Sequence, residues 1–171
     1  MPAPGKTPAR SMATLAIRVE IQRATDETVL PENSQIERWA RLALTGSKKK
    51  GELAVRIVGE EEGGALNRKW RGGKGPANVL SFPYSPPAGM AMPPLGDIVI
   101  CAPVLRREAR EQDKPLLAHW AHMVVHGTLH LLGYAHEEDA EARRMENLER
   151  KILEGLGFPD PYATETQSQK P

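Results

Sequence analysis

Residues 115–133 constrain the fold of this chain more than any other stretch. Their pattern predicts a helix from Pro115 to Leu132, because apolar residues at helical spacing give it buried faces. These residues are Leu116, Trp120, Met123, Val124 and Leu131. Gly133 follows at the place where glycine commonly ends a helix, since glycine adopts the left-handed conformation without strain. A helix with this much apolar surface must pack inside a domain.

The rest of the chain supplies strands and helices that can surround this helix. Residues 14–23 alternate apolar and polar side chains, as a half-buried strand does. Further strands are predicted at 52–58, 78–82 and 96–101. Further helices are predicted at 31–44, 60–70, 102–113 and 137–155. The first of these helices has Asn33 or Ser34 as its expected cap. The apolar face of the last comprises Met145, Leu148, Ile152 and Leu156. This order predicts an α+β fold, with a small mixed four-stranded sheet packed against about five helices.

Length and composition indicate a single domain. The chain has 171 residues, of which 40% are hydrophobic and 26% charged, and its net charge is +1. We expect a disordered arm at 1–12, one domain at 13–157 and a flexible tail at 158–171. Cys101 is the only cysteine, which excludes an internal disulfide. Since no apolar run approaches the roughly 18 residues of a membrane span, we expect a cytoplasmic protein without a membrane partner.

Histidines cluster at the end of the central helix, in the sequence HGTLHLLGYAH at 126–136. His126 and His130 are four residues apart, so both imidazoles leave the same helix face one turn apart. Gly133 allows a sharp turn that can bring His136 back as a third ligand. Three neutral nitrogens with an open fourth position are typical of a catalytic zinc site, so the sequence predicts one Zn²⁺ per chain. A pair of histidines four residues apart, without a further glycine and histidine after it, is more often structural. We assign His122, with His119, to a supporting or structural role beside the metal.

The spacing of these histidines also matches the metalloprotease pattern H-E-x-x-H-x-x-G-x-x-H. Those proteases need the glutamate after the first histidine as a general base. Here that position is Gly127. The sequence therefore has the ligand frame of a metallopeptidase and lacks its base.

Four motifs together resemble the YbeY family of bacterial endoribonucleases, which were formerly grouped as predicted metalloproteases. They are LNRKWRG at 66–72, NVLSFP at 78–83, LGDI at 95–98 and the histidine block. Two positions depart from the family pattern. Ala135 replaces an aspartate before the last histidine, and Ala77 replaces a threonine before NVLSF. If the missing aspartate supports a metal-bound histidine, Glu137, Glu138 or Asp139 are the expected substitutes.

The resemblance implies a zinc-dependent endoribonuclease that cleaves single-stranded RNA during rRNA maturation, notably at the small-subunit rRNA 3′ end, and that serves ribosome quality control. It implies rRNA precursors, small ribosomal subunit proteins and an assembly GTPase as partners. It assigns metal binding to the three histidines, and the functional arginine to Arg71.

Four further residues in or beside these motifs are candidate site residues. Arg68, Lys69 and Lys74 are candidate RNA-binding residues, because a cationic surface can follow phosphates. Asp97 is a candidate supporting residue, known only from its place in a motif. No residue stands out as the general base. Two alternatives remain open: a zinc metallopeptidase-like hydrolase, and a non-catalytic ribosome assembly factor in which zinc only holds the end of the helix.

Overall fold

The computed structural model describes residues 17–45, 47, 49–134 and 138–163, and within them lie one sheet and five helices. The strands are β1 (Ile17–Ala24), β2 (Gly51–Val58), β3 (Val79–Pro83) and β4 (Pro94–Cys101). The helices are α1 (Asn33–Leu44), α2 (Glu60–Arg71), α3 (Ala102–Glu111), α4 (Leu116–Leu131) and α5 (Asp139–Gly155). The predicted α+β fold is confirmed. The expected arm at 1–12 and part of the expected tail, 164–171, lie outside the described residues.

The four strands form one mixed sheet in the order β1-β2-β4-β3. β1, β2 and β4 run parallel, and β3 pairs antiparallel with β4. The two central strands, β2 and β4, carry mostly buried side chains, whereas the edge strands β1 and β3 are only partly covered. This burial agrees with the apolar runs of the central strands, since a parallel sheet covered on both faces excludes water from its middle. The directions of the four strands confirm the predicted mixed sheet.

Helices cover both faces of the sheet. The larger core lies on the face that carries Val55 and Ile98, and α1 and α4 contribute Trp39 and Trp120 to it. The smaller core lies on the other face, where Val99 packs with Val104 of α3. α4 contacts α1, α3, α5 and the strands β3 and β4, so it occupies the centre of the domain. None of the helices in the described part of the chain is both long and apolar enough to cross a membrane.

Two details of the helices differ from the prediction. The N-cap of α1 is Glu32, whose backbone N–H donates to the side chain of Gln35 at 2.8 Å. The expected caps, Asn33 and Ser34, lie inside the helix, and the side chain of Asn33 accepts a hydrogen bond from Arg23 of β1 at 2.8 Å. In α5, the fully buried side chains are Met145, Glu149 and Leu153. Of the four predicted apolar residues of this helix, only Met145 is fully buried, while Leu148, Ile152 and Leu156 are half-buried.

Candidate metal centre

The end of α4 is shaped by a turn that requires glycine. Gly133 has a φ of 97°, in the left-handed region. Its N–H donates to the carbonyl of His130, and the N–H of Tyr134 donates to the carbonyl of Leu129. These two hydrogen bonds are those of a Schellman motif, which satisfies the last carbonyls of a helix. The prediction that Gly133 ends this helix is confirmed, and the turn fixes where the chain leaves His130.

Four histidines form a row along one side of α4, from the core towards the surface. The ring centroids are 6.4 Å apart for His119 and His122, 6.0 Å for His122 and His126, and 4.7 Å for His126 and His130. The exposed fraction of the side chain is 4% for His119, 9% for His122 and 20% for His126. Spacings of three and four residues keep the row on one helix face. The row therefore delivers its last two imidazoles, His126 and His130, to the accessible end.

A fully buried carboxylate, Glu149 of α5, lies against this row. Its Oε1 is 2.9 Å from Nδ1 of His126, and its Oε2 is 2.5 Å from Nε2 of His122. An ionised carboxylate can only accept hydrogen bonds, so both ring nitrogens that face it must carry a proton. His126 is thereby held in the tautomer that has its proton on Nδ1. A metal bound by His126 must then be bound through Nε2.

The Glu149 carboxylate remains ionised in spite of its burial. Burial by itself raises its pKa, but the hydrogen bonds from His122 and His126 and the electrostatic attraction between the carboxylate and these rings outweigh that effect and hold the pKa at about 2. For His122 the balance is reversed. Burial lowers the pKa of His122 below its ordinary value, although the hydrogen bond with Glu149 opposes the shift. His122 is therefore neutral at neutral pH and donates its Nε2 proton to the carboxylate.

The segment after α5 also contacts the carboxylate of Glu149. The hydroxyl of Tyr162 donates to Oε2 of Glu149 at 2.8 Å, and the Tyr162 ring lies 5.4 Å from the ring of His122. Arg150 holds this segment, since it pairs with Asp160 at 3.1 Å and stacks over Tyr162 at 5.2 Å. The part of the expected C-terminal tail that the structure describes thus contributes a hydrogen-bond donor to the site.

His122, His126 and Glu149 form a group that could hold a metal ion, because one ligand atom from each lies within 4.8 Å of the others. The observed pairs, at 2.5 and 2.9 Å, are at hydrogen-bonding distances. Two atoms bound tetrahedrally to one zinc at about 2.0–2.1 Å would lie roughly 3.3 Å apart. Nε2 of His122 also carries the proton that Glu149 accepts. This chemistry fits a carboxylate that orients a metal-binding histidine, as is common around protein metals.

The structure places the other predicted site residues as follows. His126 and His130 are adjacent, whereas His136 and the neighbouring Ala135 and Glu137 lie outside the described residues. Asp97 is exposed within β4. Since side chains alternate along a strand, Asp97 lies on the sheet face opposite to Ile98, which packs in the α4 core. The structure therefore does not bring Asp97 to the histidine row.

Arg71 lies at the C-terminal end of α2, beside the outer edge of β3. Its guanidinium donates to the carbonyl of Ser81 at 2.5 Å and stacks over the ring of Phe82 at 5.4 Å. The hydroxyl of Ser81 donates in turn to the carbonyl of Gly127 at 2.9 Å. Ser81 thus connects Arg71 with the residue that follows His126. The other predicted RNA-binding residues, Arg68, Lys69 and Lys74, are exposed on α2 and the loop after it.

At Gly127, α4 packs closely against the sheet. A Cβ at this position would lie 3.0 Å from side-chain carbons of both Val79 and Ile98, and 3.3 Å from the hydroxyl of Ser81. The position at which a metallopeptidase has its catalytic glutamate is therefore filled by β3 and β4. A glutamate at this position would have to displace these side chains.

Known proteins are similar to this chain in sequence and in fold. The family model of endoribonuclease YbeY matches residues 20–157, which is most of the chain. The chain belongs to the YbeY endoribonuclease family. Its structure is also similar to the solution structure of TM1509 from Thermotoga maritima, with a TM-score of 0.54 and 24% sequence identity. That similarity covers 90% of this chain and 93% of TM1509, and it supports the fold.

Sequence reasoning missed Glu149 and Tyr162. The signal for Glu149 was its position, because it lies midway between Met145 and Leu153 at spacings of four, on the buried stripe of α5. A charged residue on such a stripe needs a buried partner. Tyr162 gave no comparable signal, since it lies in a short segment without helical or strand periodicity. It also lies beyond residue 157, where the match with the YbeY family model ends.

Proposed function

We propose that this protein is a zinc-dependent endoribonuclease that cleaves single-stranded RNA in the maturation of rRNA, including the small-subunit rRNA 3′ end, and in ribosome quality control. The observation that carries this proposal is the pair His126 and His130, with Glu149 fixing the tautomer of His126, in a chain of the YbeY endoribonuclease family. Its partners would be rRNA precursors, small ribosomal subunit proteins and an assembly GTPase. We expect it to act in the cytoplasm.

His126, His130 and His136 would hold the metal in this proposal. Nδ1 of His126 faces Glu149, so the ion would bind the other ring nitrogen, Nε2. The adjacent imidazole of His130 is close enough to share an ion with it, and both rings lie at the exposed end of the row. Glu149 would orient His126 and fix its tautomer. A bound Zn²⁺ would supply a Lewis acid for charge that develops on the phosphoryl oxygens.

Arg71 would bind the phosphate that flanks or contains the scissile bond. Its contacts with Ser81 and Phe82 fix the guanidinium at the edge of β3, so less side-chain entropy is lost on binding. A guanidinium has five N–H donors in a fixed plane, and one of them serves Ser81. The hydrogen bond from Ser81 to Gly127 fixes the position of this guanidinium relative to α4. Arg68, Lys69 and Lys74 would then follow the neighbouring phosphates.

Three substrates given to the purified protein test this function: a single-stranded RNA, the same sequence as a duplex, and casein. The expected result is cleavage of the single-stranded RNA alone, lost with a chelator and restored by Zn²⁺. Cleavage of casein would favour the peptidase alternative. Stoichiometric zinc without cleavage of any substrate, including precursor rRNA within small-subunit particles, would favour the assembly factor.

We expect the substitution Arg71→Glu to lower the rate of RNA cleavage by about 100–1,000-fold, as loss of a preorganised charge donor does. The new carboxylate also repels the phosphate. Zinc content and melting temperature should remain close to those of the wild type, since Arg71 is exposed. Arg110→Glu is the matched control, because it makes the same charge change at an exposed position at the end of α3. Equal loss of activity in both variants would show that only net charge matters.

We expect Glu149→Gln to weaken zinc binding by about 10–100-fold, the usual effect of removing a carboxylate behind a metal-bound histidine. A carboxamide has one oxygen, so its NH₂ group must face one of the two ring N–H groups. This buried mismatch should also lower the free energy of unfolding by about 1–3 kcal/mol. Chelator competition and thermal melting of the metal-free protein measure the two effects. Glu154→Gln, at an exposed position of the same helix, should change neither. Unaltered zinc affinity in Glu149→Gln would contradict the orienting role.

A further inference from the structure

Trp70, in the last turn of α2, has a large aromatic side chain that is exposed on the surface. It is 59% exposed, although the two other tryptophans, Trp39 and Trp120, are buried. Its indole is nonetheless held in place. It meets the edge of Phe82 with ring centroids 6.3 Å apart, and the ammonium of Lys69 lies 5.1 Å from its centroid. An exposed ring that is fixed by its neighbours can offer its remaining surface to a ligand with little loss of conformational entropy.

The segment around Trp70 is cationic, and the nearby exposed carboxylate is that of Asp97, which pairs with Phe82 across β3 and β4. Residues 63–77 contain two lysines and two arginines, Arg68, Lys69, Arg71 and Lys74, and no aspartate or glutamate. All four of these cations are exposed. A partner that fits this surface must combine negative charge with a flat apolar face. Single-stranded RNA has both, because its phosphates alternate with bases whose faces are unpaired.

The position of Trp70 relates this surface to the metal centre. Arg71 is the next residue, and it donates to Ser81 on the edge of β3. Ser81 donates to the carbonyl of Gly127, which follows His126. Arg71, the neighbour of Trp70, is thus connected through the single residue Ser81 to the helix that carries the histidines. A nucleotide whose phosphate lies on Arg71 would have its base within reach of the indole.

We propose that Trp70 is a stacking platform for an unpaired base next to the phosphate bound by Arg71. This inference rests on the proposed function for its substrate, RNA. It adds a reason for preferring single strands, since a base within a duplex is already stacked on both faces. Loss of the indole should weaken binding by about 5–100-fold, the effect of removing one base–aromatic stack. The bond-breaking step itself should be little changed, because the indole holds the substrate and does not touch the metal.

Variants of Trp70 test the platform by binding and by kinetics. The probes are a single-stranded RNA oligonucleotide, the same strand with abasic nucleotides, and the duplex. Trp70→Ala should raise Kd and KM for the intact single strand by about 5–100-fold and leave kcat within about twofold. Trp70→Phe, which retains a ring, should recover most of the affinity. Binding of the abasic strand, which keeps the phosphates, should be the same in wild type and Trp70→Ala. Leu117→Ala, at another exposed apolar position, is the control and should leave Kd and KM unchanged.

The outcomes separate this inference from the proposed function. If the wild type cleaves RNA and Trp70→Ala binds the intact strand as tightly as the wild type, the platform is wrong and the endoribonuclease stands. If the wild type cleaves no RNA, the proposed function fails, and the binding measurement alone decides on the platform. An equal loss of affinity for intact and abasic strands would also overturn it, since the indole would then act on the backbone and not on a base.

Discussion

The double variant His126→Ala/His130→Ala is expected to purify without metal and to have no detectable RNA cleavage. Removing two of three ligands leaves too few donors to fix an ion, because tetrahedral sites use at least three protein ligands. Both rings lie at the less buried end of the histidine row, so the fold should survive. Elemental analysis of protein purified without added metal should give near-equimolar zinc for the wild type. The same zinc content in the double variant would refute the assignment.

A pair of single substitutions distinguishes the two ways in which this site could hold an ion. His130→Ala should lose most of the zinc affinity if the ion lies between His126 and His130. His122→Asn should retain it, because asparagine keeps an N–H donor near Glu149 and removes only the imidazole. The opposite result, with zinc retained in His130→Ala and lost in His122→Asn, would place the ion in the group formed by His122, His126 and Glu149.

Much of the fold could be predicted from the sequence, because its signals are local. Alternation gave the edge strand β1, apolar runs gave β2 and β4, and Gly133 marked the end of α4. The adjacency of His126 and His130 also follows from local geometry, since residues four apart on a helix share a face. These features need no knowledge of how distant segments meet.

The environment of the histidines could not be predicted in the same way. Glu149 is 23 residues from His126 in sequence, and only the packing of α5 on α4 brings their side chains to 2.9 Å. In the sequence it is one of several glutamates in a strongly charged helix, so it resembles a solvated residue. We expected a supporting carboxylate among Glu137, Glu138 and Asp139. Glu138 and Asp139 are exposed, and the carboxylate that contacts His126 comes from farther along α5.

Asp97 illustrates a second limit of sequence reasoning. Its motif, LGDI, is contiguous with the strand that supports α4, yet alternation directs the side chain of Asp97 to the opposite face. Which face carries the helix with the histidines depends on the order and pairing of all four strands. Motif proximity therefore does not establish proximity to the site.

Insertion of a metallopeptidase glutamate by the substitution Gly127→Glu is expected to prevent folding. Even a Cβ at this position meets Val79 and Ile98 at 3.0 Å, and such overpacking costs about 1–3 kcal/mol. A carboxylate buried there without a partner adds about 3–5 kcal/mol. The sum is comparable to the whole stability of a small domain, about 5–15 kcal/mol. Circular dichroism and the soluble yield should both show an unfolded product.

Two control variants determine whether steric crowding or the charge is responsible. Gly127→Ala adds only the Cβ, and the gain of about 1 kcal/mol in helix propensity offsets part of the crowding, so a net loss of about 0–2 kcal/mol is expected. Leu117→Glu places the same glutamate at a 40% exposed position of α4 and should fold normally. If Gly127→Glu folded, kept its zinc and cleaved casein, β3 and β4 would have to yield at this contact. The peptidase alternative would then be limited by one residue and not by the fold. The close contact of Gly127 with both strands predicts the opposite, because a catalytic glutamate after His126 requires a helix that lies farther from the sheet than α4 does.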